Sequence, residues 1–365
     1  MEMPYNDIIR KFIDMYAGRL RNQVSFMLSA CNFYMPIFEE ALDAYGLPLE
    51  LRYLPIIESA LNPSAVSRAG ASGLWQFMIG TGKIYGLESN SLVDERRDPI
   101  KATWAAARYL KEMYDIYGDW NLVIAAYNCG PGTINKAIRR ANGETDYWKI
   151  YNYLPKETRG YVPAFIAANY VMTYYCDHNI CPMETNIPAS TDTVQVNKNL
   201  HFEQIADLCN VPLDQIKSLN PQYKKQMIPG DSKPYTLRLP IDAISTFIDK
   251  QDTIYTHRAD ELFRNRKTVA VKDITPARDT ADGFNADSII GRYLSSSGSP
   301  YASSASGLWQ FMIGTGKIYG LESNSLVDER RDPIKATWAA ARYLKEMYDI
   351  YGDWNLVIAA YKAFP

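Results

Sequence analysis

Asp98-Pro99-Ile100-Lys101-Ala102-Thr103-Trp104-Ala105-Ala106-Ala107-Arg108-Tyr109-Leu110-Lys111-Glu112-Met113-Tyr114-Asp115-Ile116-Tyr117-Gly118 reads as one α-helix from cap to cap. An Asp side chain can accept the unpaired N–H groups of a first helical turn, and Pro is tolerated at the first helical position because its missing donor is not needed there. Ile100, Trp104, Ala107, Leu110, Tyr114 and Tyr117 then recur at helical spacing until Gly118. The spacing predicts a core-facing stripe. Outward from it, Ile8 to Phe26, Ile37 to Tyr45 and Val162 to Tyr175 show similar periodicity. Strand alternation with hairpin turns is scarce. The first 175 residues are therefore expected to be almost entirely α.

The chain has 365 residues, 47% of them hydrophobic, and a formal charge of −2, enough for one sizeable core and a second module. Basic residues are spread rather than blocked, so no nucleic-acid partner is expected. The 27 tyrosines weakly favour a carbohydrate ligand, because phenols stack on sugar faces and bond hydroxyls, although most will be core. Five cysteines, Cys31, Cys129, Cys176, Cys181 and Cys209, form no dense framework. Cys176 and Cys181 are close enough in sequence to pair in an oxidising compartment. With His178 they lack a fourth metal ligand, so neither metal nor cofactor is expected. Leu28-Ser29-Ala30-Cys31 has the form of a lipoprotein cleavage box, yet Arg19, Arg21, Asn22 and Gln23 leave no apolar run before it, and it is read as helix.

Three short segments carry chemistry: Glu58-Ser59-Ala60, Gly73-Leu74-Trp75-Gln76-Phe77 and Ala126-Tyr127-Asn128-Cys129-Gly130. Glu58 is the one carboxylate between Tyr53 and Asn62, on the apolar run Leu54-Pro55-Ile56-Ile57. Burial among apolar neighbours disfavours the anion and raises a carboxyl pKa, which suits an acid that must hold its proton near neutrality. Alone, Glu58 reads as a helix end pointing to water. The second segment adds a glycine that permits close ligand approach, an aromatic face and an amide; the third adds a phenol and another amide before the turn Gly130-Pro131-Gly132. Pro55 is expected to bend a helix and aim Glu58. Asp94, Glu95 and Asp98 read as a solvated approach to a helix.

With these residues in place, the chain from about Tyr5 to Tyr175 resembles the family 1 lytic transglycosylases, and within them the membrane-bound type D branch. Ala69-Gly70-Ala71-Ser72-Gly73-Leu74-Trp75-Gln76-Phe77 carries the likeness, with Trp75 where the wider family more often has Met. The resemblance implies a mainly α, lysozyme-like domain. It implies Glu58 as catalytic acid/base, with Ser67, Gly73, Leu74, Gln76, Tyr127 and Asn128 lining a sugar groove. Tyr161, in Thr158-Arg159-Gly160-Tyr161-Val162, would supply the phenol that closes the site. It further implies peptidoglycan glycan strands as the partner, non-hydrolytic cleavage of the MurNAc-β-1,4-GlcNAc bond to a 1,6-anhydro end, and the bacterial periplasm. Peripheral or lipid-anchored membrane association of the full-length protein is compatible with it, and a leader that this chain lacks is expected. The rivals are a goose-type lysozyme and a non-catalytic wall-binding scaffold.

The expected division is a lysozyme-like domain over 1–180, a linker over 181–191, a small α+β module over 192–241 and a polar, Ser-rich tether over 242–304. Thr193 to Val196 alternates like a strand, Phe202 to Leu208 and Leu213 to Leu219 are helical, and Tyr235 to Pro240 is a second strand. That β-α-α-β order resembles a LysM-type peptidoglycan-binding module, with Asn197-Lys198-Asn199-Leu200-His201 in place of the family's Gly-Asp-Thr-Leu turn. Glycan binding and structural bracing are equally open for it. Finally, 305–361 repeats Ala71 to Tyr127 without a change over 57 residues. No counterpart of Glu58 precedes this partial copy, so it is not a second active site. The chain is read as a monomer, with a swap through the copy as the alternative.

Overall fold

The computed structural model describes residues 1–184, 187–188, 190–263, 321, 329 and 333–351. The expected flexible tail and most of the 305–361 copy lie outside them. The first helices are α1 (Asp7–Ala17) and α2 (Arg21–Ala44), followed by a 3-10 turn (Leu49–Tyr53), α3 (Leu54–Ser59) and α4 (Ile79–Ile84). After a second 3-10 turn (Glu95–Arg97) come α5 (Pro99–Tyr117), α6 (Trp120–Cys129), α7 (Pro131–Arg140), α8 (Tyr147–Ile150) and α9 (Lys156–Thr173). The domain is all helical, as its periodicity predicts. The Ile8 to Phe26 stretch is broken at Gly18, where α1 ends.

Helix α5 begins and ends where the sequence places it. Asp98 Oδ1 accepts the Ile100 and Lys101 N–H groups at 3.0 Å, and Gly118 closes the helix with φ +64°. The expected stripe is corrected: Ala107 and Leu110 are buried, but Ile100 and Trp104 are exposed, because the face that packs is the small-residue one of Ala102, Ala105, Ala106 and Ala107, which lets α2 and α6 approach closely. Helices α1 and α6 both pack on α9. Phe38, Leu42, Leu54, Trp75, Leu110 and Phe165 fill the interior. Among the described residues no helix is long and apolar enough to cross a membrane. Cys176 and Cys181 are exposed and unpaired. Leu28-Ser29-Ala30-Cys31 is part of α2.

The segment expected to be a linker is strapped down at its start: Met183 N donates to Ser25 O at 3.2 Å, and the Ser25 and Ser29 hydroxyls donate to the Cys181 and Met183 carbonyls. The module beyond it has four strands rather than two. Strand β1 (Thr191–Val196) pairs antiparallel with β4 (Tyr235–Pro240), and β2 (Asn199–His201) with β3 (Met227–Pro229). Between them lie α10 (Phe202–Cys209), capped by His201 with Gln204, and α11 (Leu213–Leu219). Fully buried Asn220 locks α11 to β4, its amide donating to Ile216 O and Arg238 O and accepting from Arg238 N, all within 2.9 Å.

The tether expected from 242 is corrected over its first twenty residues. Helices α12 (Ile241–Asp249), α13 (Gln251–Thr256) and α14 (Ala259–Leu262) continue the chain, with Phe247 and Ile254 buried in the module's core. Gln204 Nε2 donates to His257 O at 2.7 Å, fixing this extension to α10. A polar sequence hides an apolar stripe here, which is why composition pointed to a tether. Within the copy, α15 (Pro333–Tyr351) has the same 19 residues as α5.

Candidate active site

Pro55 does not bend a helix; it starts one. It sits in the first turn of the short helix α3, after the 3-10 turn has ended at Tyr53, and Glu58 follows one turn later. The helix then stops in two successive left-handed residues, Ala60 (φ +51°) and Leu61 (φ +59°). Such φ values are disfavoured for residues with a Cβ and persist where surrounding structure enforces them. Enforcement comes from Ser59, whose hydroxyl is 3.0 Å from both Pro55 O and Leu74 O. The Glu58-Ser59 pair thereby fastens the acid to the Gly73–Phe77 loop.

That loop is held by its own carbonyls. The Tyr127 hydroxyl donates to Trp75 O at 2.7 Å. Gln76, at φ +48°, donates through Nε2 to Gly73 O at 2.8 Å and Ala65 O at 3.3 Å. Ser67 Oγ accepts Ala71 N at 3.0 Å. Three expectations about this loop need correction. Leu74 is in the core rather than on the groove, and Trp75 is fully buried, with Nε1 donating to Thr103 Oγ1 at 2.8 Å, so it offers no face to a ligand. Gly73 is required for a close approach, but to protein: a Cβ there would lie 1.8 Å from Arg96 O. Asn128 faces neither acid nor loop through its Oδ1, which accepts the Thr158 hydroxyl at 2.8 Å and ties α6 to α9.

Glu58 opens into a cavity of about 520 Å³ whose walls include Ser67 and Gln76. Tyr16, Leu20, Gln23 and Met27, from α1, the turn after it and α2, complete the wall together with Val66. These were not legible as site residues because no motif surrounds them. Tyr161, on α9, donates its hydroxyl to Glu58 Oε1. Burial pushes the Glu58 carboxyl up to about 7; the Tyr161 hydrogen bond pulls it down, and the nearby charge of Glu157 adds to the rise. Burial and the adjacent Glu58 hold the Tyr161 and Tyr127 phenols well above their ordinary value, so both are neutral donors. Among the described residues, Glu58 is the one carboxylate lining this cavity.

Asp94 and Glu95 are not solvated. They are 1% and 5% exposed, and Arg96 beside them is 5% exposed. Arg96 pairs with Asp94 through Nε–Oδ1 at 2.9 Å and Nη2–Oδ2 at 2.8 Å, while its Nη1 donates to Gly70 O and Phe77 O at 2.8 and 2.9 Å. Arg97 Nε donates to Ser72 Oγ at 3.0 Å. The loop bearing Ser67 and Gln76 is thus gripped from behind by two guanidinium groups.

A helical domain with one proton-holding carboxyl on the wall of a largely apolar cavity defines the class, and comparison with known proteins places the chain within it. The sequence matches the transglycosylase SLT domain over residues 35–150 and again over 288–364, more than half its length, and the chain belongs to that family. Residues 190–256 match the LysM-like domain of lytic transglycosylase MltD. The chain is 31% identical over 244 residues to the membrane-bound lytic murein transglycosylase D of Escherichia coli strain K12, covering 66% of this chain and 53% of that protein. It is 33% identical over 124 residues to the soluble lytic murein transglycosylase of the same strain, covering 32% and 19%. The chain therefore spans about half the length, or less, of these relatives. The crystal structure of the 70 kDa soluble lytic transglycosylase of Escherichia coli aligns at 29% identity and TM-score 0.35, over 39% of this chain and 24% of that one.

Proposed function

We propose that this chain is a peptidoglycan lytic transglycosylase of the bacterial cell envelope, cleaving the bond between N-acetylmuramic acid and N-acetylglucosamine without water. The observation that carries this reading is Glu58: a carboxyl with a pKa of about 7, unaccompanied by a second carboxylate on its cavity wall. Glycosidases with two carboxylates use the second as nucleophile or to activate water. With one, a single group must serve both halves of the reaction.

Tyr161 occupies Glu58 Oε1, so Oε2 is the oxygen that carries the proton. It protonates the glycosidic oxygen as the C1–O bond breaks, and the substrate's own N-acetyl group meets the positive character at C1. Ionised Glu58 then takes the proton from the C6 hydroxyl, whose oxygen attacks C1 and closes the 1,6-anhydro ring. The acid is restored in its protonated form. Gln76 uses its amide hydrogens on the loop, leaving Oε1 to accept from a sugar N–H or O–H. Ser67, on the same wall, is proposed as a second contact.

The test is mass spectrometry of soluble products from purified peptidoglycan treated with the protein and, in parallel, with Glu58→Gln. Muropeptides one water lighter than hydrolysis products are expected, and none with the variant. Hydrated products would instead make the protein a lysozyme, and no release by the folded parent would leave wall binding alone.

A further inference from the structure

The 190–263 module does not hang from the catalytic domain. Leu92 and Val93, which belong to the catalytic domain in sequence, are buried in the module's hydrophobic core. Their backbone is bonded into it: Lys224 N donates to Leu92 O and Asp94 N donates to Gln222 O, both at 2.8 Å, and Val93 bridges Tyr223. Side chains reinforce the joint. Lys224 Nζ donates to Asn90 O at 2.7 Å and lies 3.8 Å from Asp94 Oδ2; the Tyr235 hydroxyl donates to Glu88 Oε1 at 3.0 Å.

Asp94 is where this joint meets the loop. Its backbone belongs to the module's contact, while its carboxylate orients Arg96, whose guanidinium holds Gly70 O and Phe77 O. Between those two carbonyls the chain carries Gly73, seated on the Arg96 carbonyl, and Gln76, on the wall of the Glu58 cavity. A series of polar contacts runs from Lys224 through Asp94 and Arg96 to the loop that carries Gln76: the Lys224–Asp94 ion pair at 3.8 Å, then hydrogen bonds of 2.8–2.9 Å. Each buried charge in it is paired, so removing one partner leaves the next without its counter-charge.

We propose that the LysM-like module is a positioning element of the cleavage site: by clamping 88–94 it fixes the Asp94–Arg96 pair and thereby the loop that presents Ser67 and Gln76. Lys224 and Arg96 are positioning residues; neither lines the Glu58 cavity. The module's presence then sets how well the groove holds a strand. This rests on the transglycosylase reading for its effect on catalysis, but not for its effect on the loop.

The experiment therefore reads both, on the full chain, with Lys224→Met and, as a second variant that spares the module's packing, Tyr235→Phe. Hydrogen exchange at the amides of Ser72 and Gly73, which donate to Phe77 O and Ala65 O at 3.0 Å, is expected to speed up about tenfold in Lys224→Met and less in Tyr235→Phe. Amides in α6 and α9 should be unchanged. Peptidoglycan cleavage should lose about the same factor in kcat/KM, with the pH limb set by Glu58 unmoved. Unchanged exchange at Ser72 and Gly73 in both variants, with the Tyr223 and Lys224 amides accelerated, would overturn the proposal. If the parent released no muropeptide, the activity would fall, while the exchange result would still decide whether the module positions the loop.

Discussion

Glu58 concentrates the chemistry of the chain in one protonation equilibrium. Its carboxyl is held up to about 7 against an ordinary 4.5, chiefly by burial. A group whose folded pKa is raised contributes fully below its unfolded pKa and loses that contribution as pH rises through the folded one. Here the loss spans about pH 4.5 to 7. Glu58→Gln is thus expected to match the parent's stability below about pH 4.5 and to exceed it by about 1–3 kcal/mol above about pH 7, measured by denaturant unfolding. The same equilibrium predicts that kcat/KM on peptidoglycan falls with unit slope above about pH 7, as the acid is deprotonated. The lone carboxylate on an apolar run made Glu58 legible from sequence. Its partner Tyr161 became legible through a family resemblance. The roles of Ser59 and Tyr127 did not, because both donate to backbone carbonyls, and such contacts leave no pattern in side-chain spacing.

Short elements place the acid, and their geometry departs from regular helix at the points that matter. Helix α3 is six residues long and ends in the left-handed pair Ala60 and Leu61. Ala60 is exposed, so its conformation can be eased without disturbing packing, whereas Leu61 is in the core. Ala60→Gly removes a left-handed penalty of about 1–2 kcal/mol and adds backbone entropy to the unfolded chain worth about 0.5–1 kcal/mol. A net stabilisation of about 0.5–1 kcal/mol is expected in thermal or denaturant unfolding. The cap signatures Asp98-Pro99 and Gly118 found the ends of α5 to the residue, while the stripe read between them placed exposed Ile100 and Trp104 inward. Periodicity missed the restart at α3, where Pro55 begins a helix instead of bending one, since a 3-10 turn running into a short helix has no period long enough to detect.

Over the whole molecule, every candidate site residue and the cores of both modules fall within residues 1–263. A chain stopped before residue 285 is expected to release the same muropeptides at the same rate as the full chain, compared by product mass spectrometry. The 57-residue identity between Ala71–Tyr127 and 305–361 makes this separation worth measuring, since the second stretch repeats the loop but not Glu58. Within its described part, Ala336, Ala339 and Ala340 are buried as Ala102, Ala105 and Ala106 are in α5, so the same apolar stripe governs both. What sequence could not foresee at this scale was the fate of Asp94 and Glu95. A run of charges usually marks a solvated face, and theirs is covered by residues about 130 positions further along the chain.

The burial of Leu92 and Val93 in the neighbouring core also bears on how such proteins are assembled in evolution. A gene rearrangement that exchanged the second module as a cassette at its sequence boundary would strand two apolar side chains in water, at about 1.5–3 kcal/mol each. The module's core is thus completed by a seven-residue stretch, 88–94, that lies outside it in sequence, and an exchange at the sequence boundary alone would separate the two.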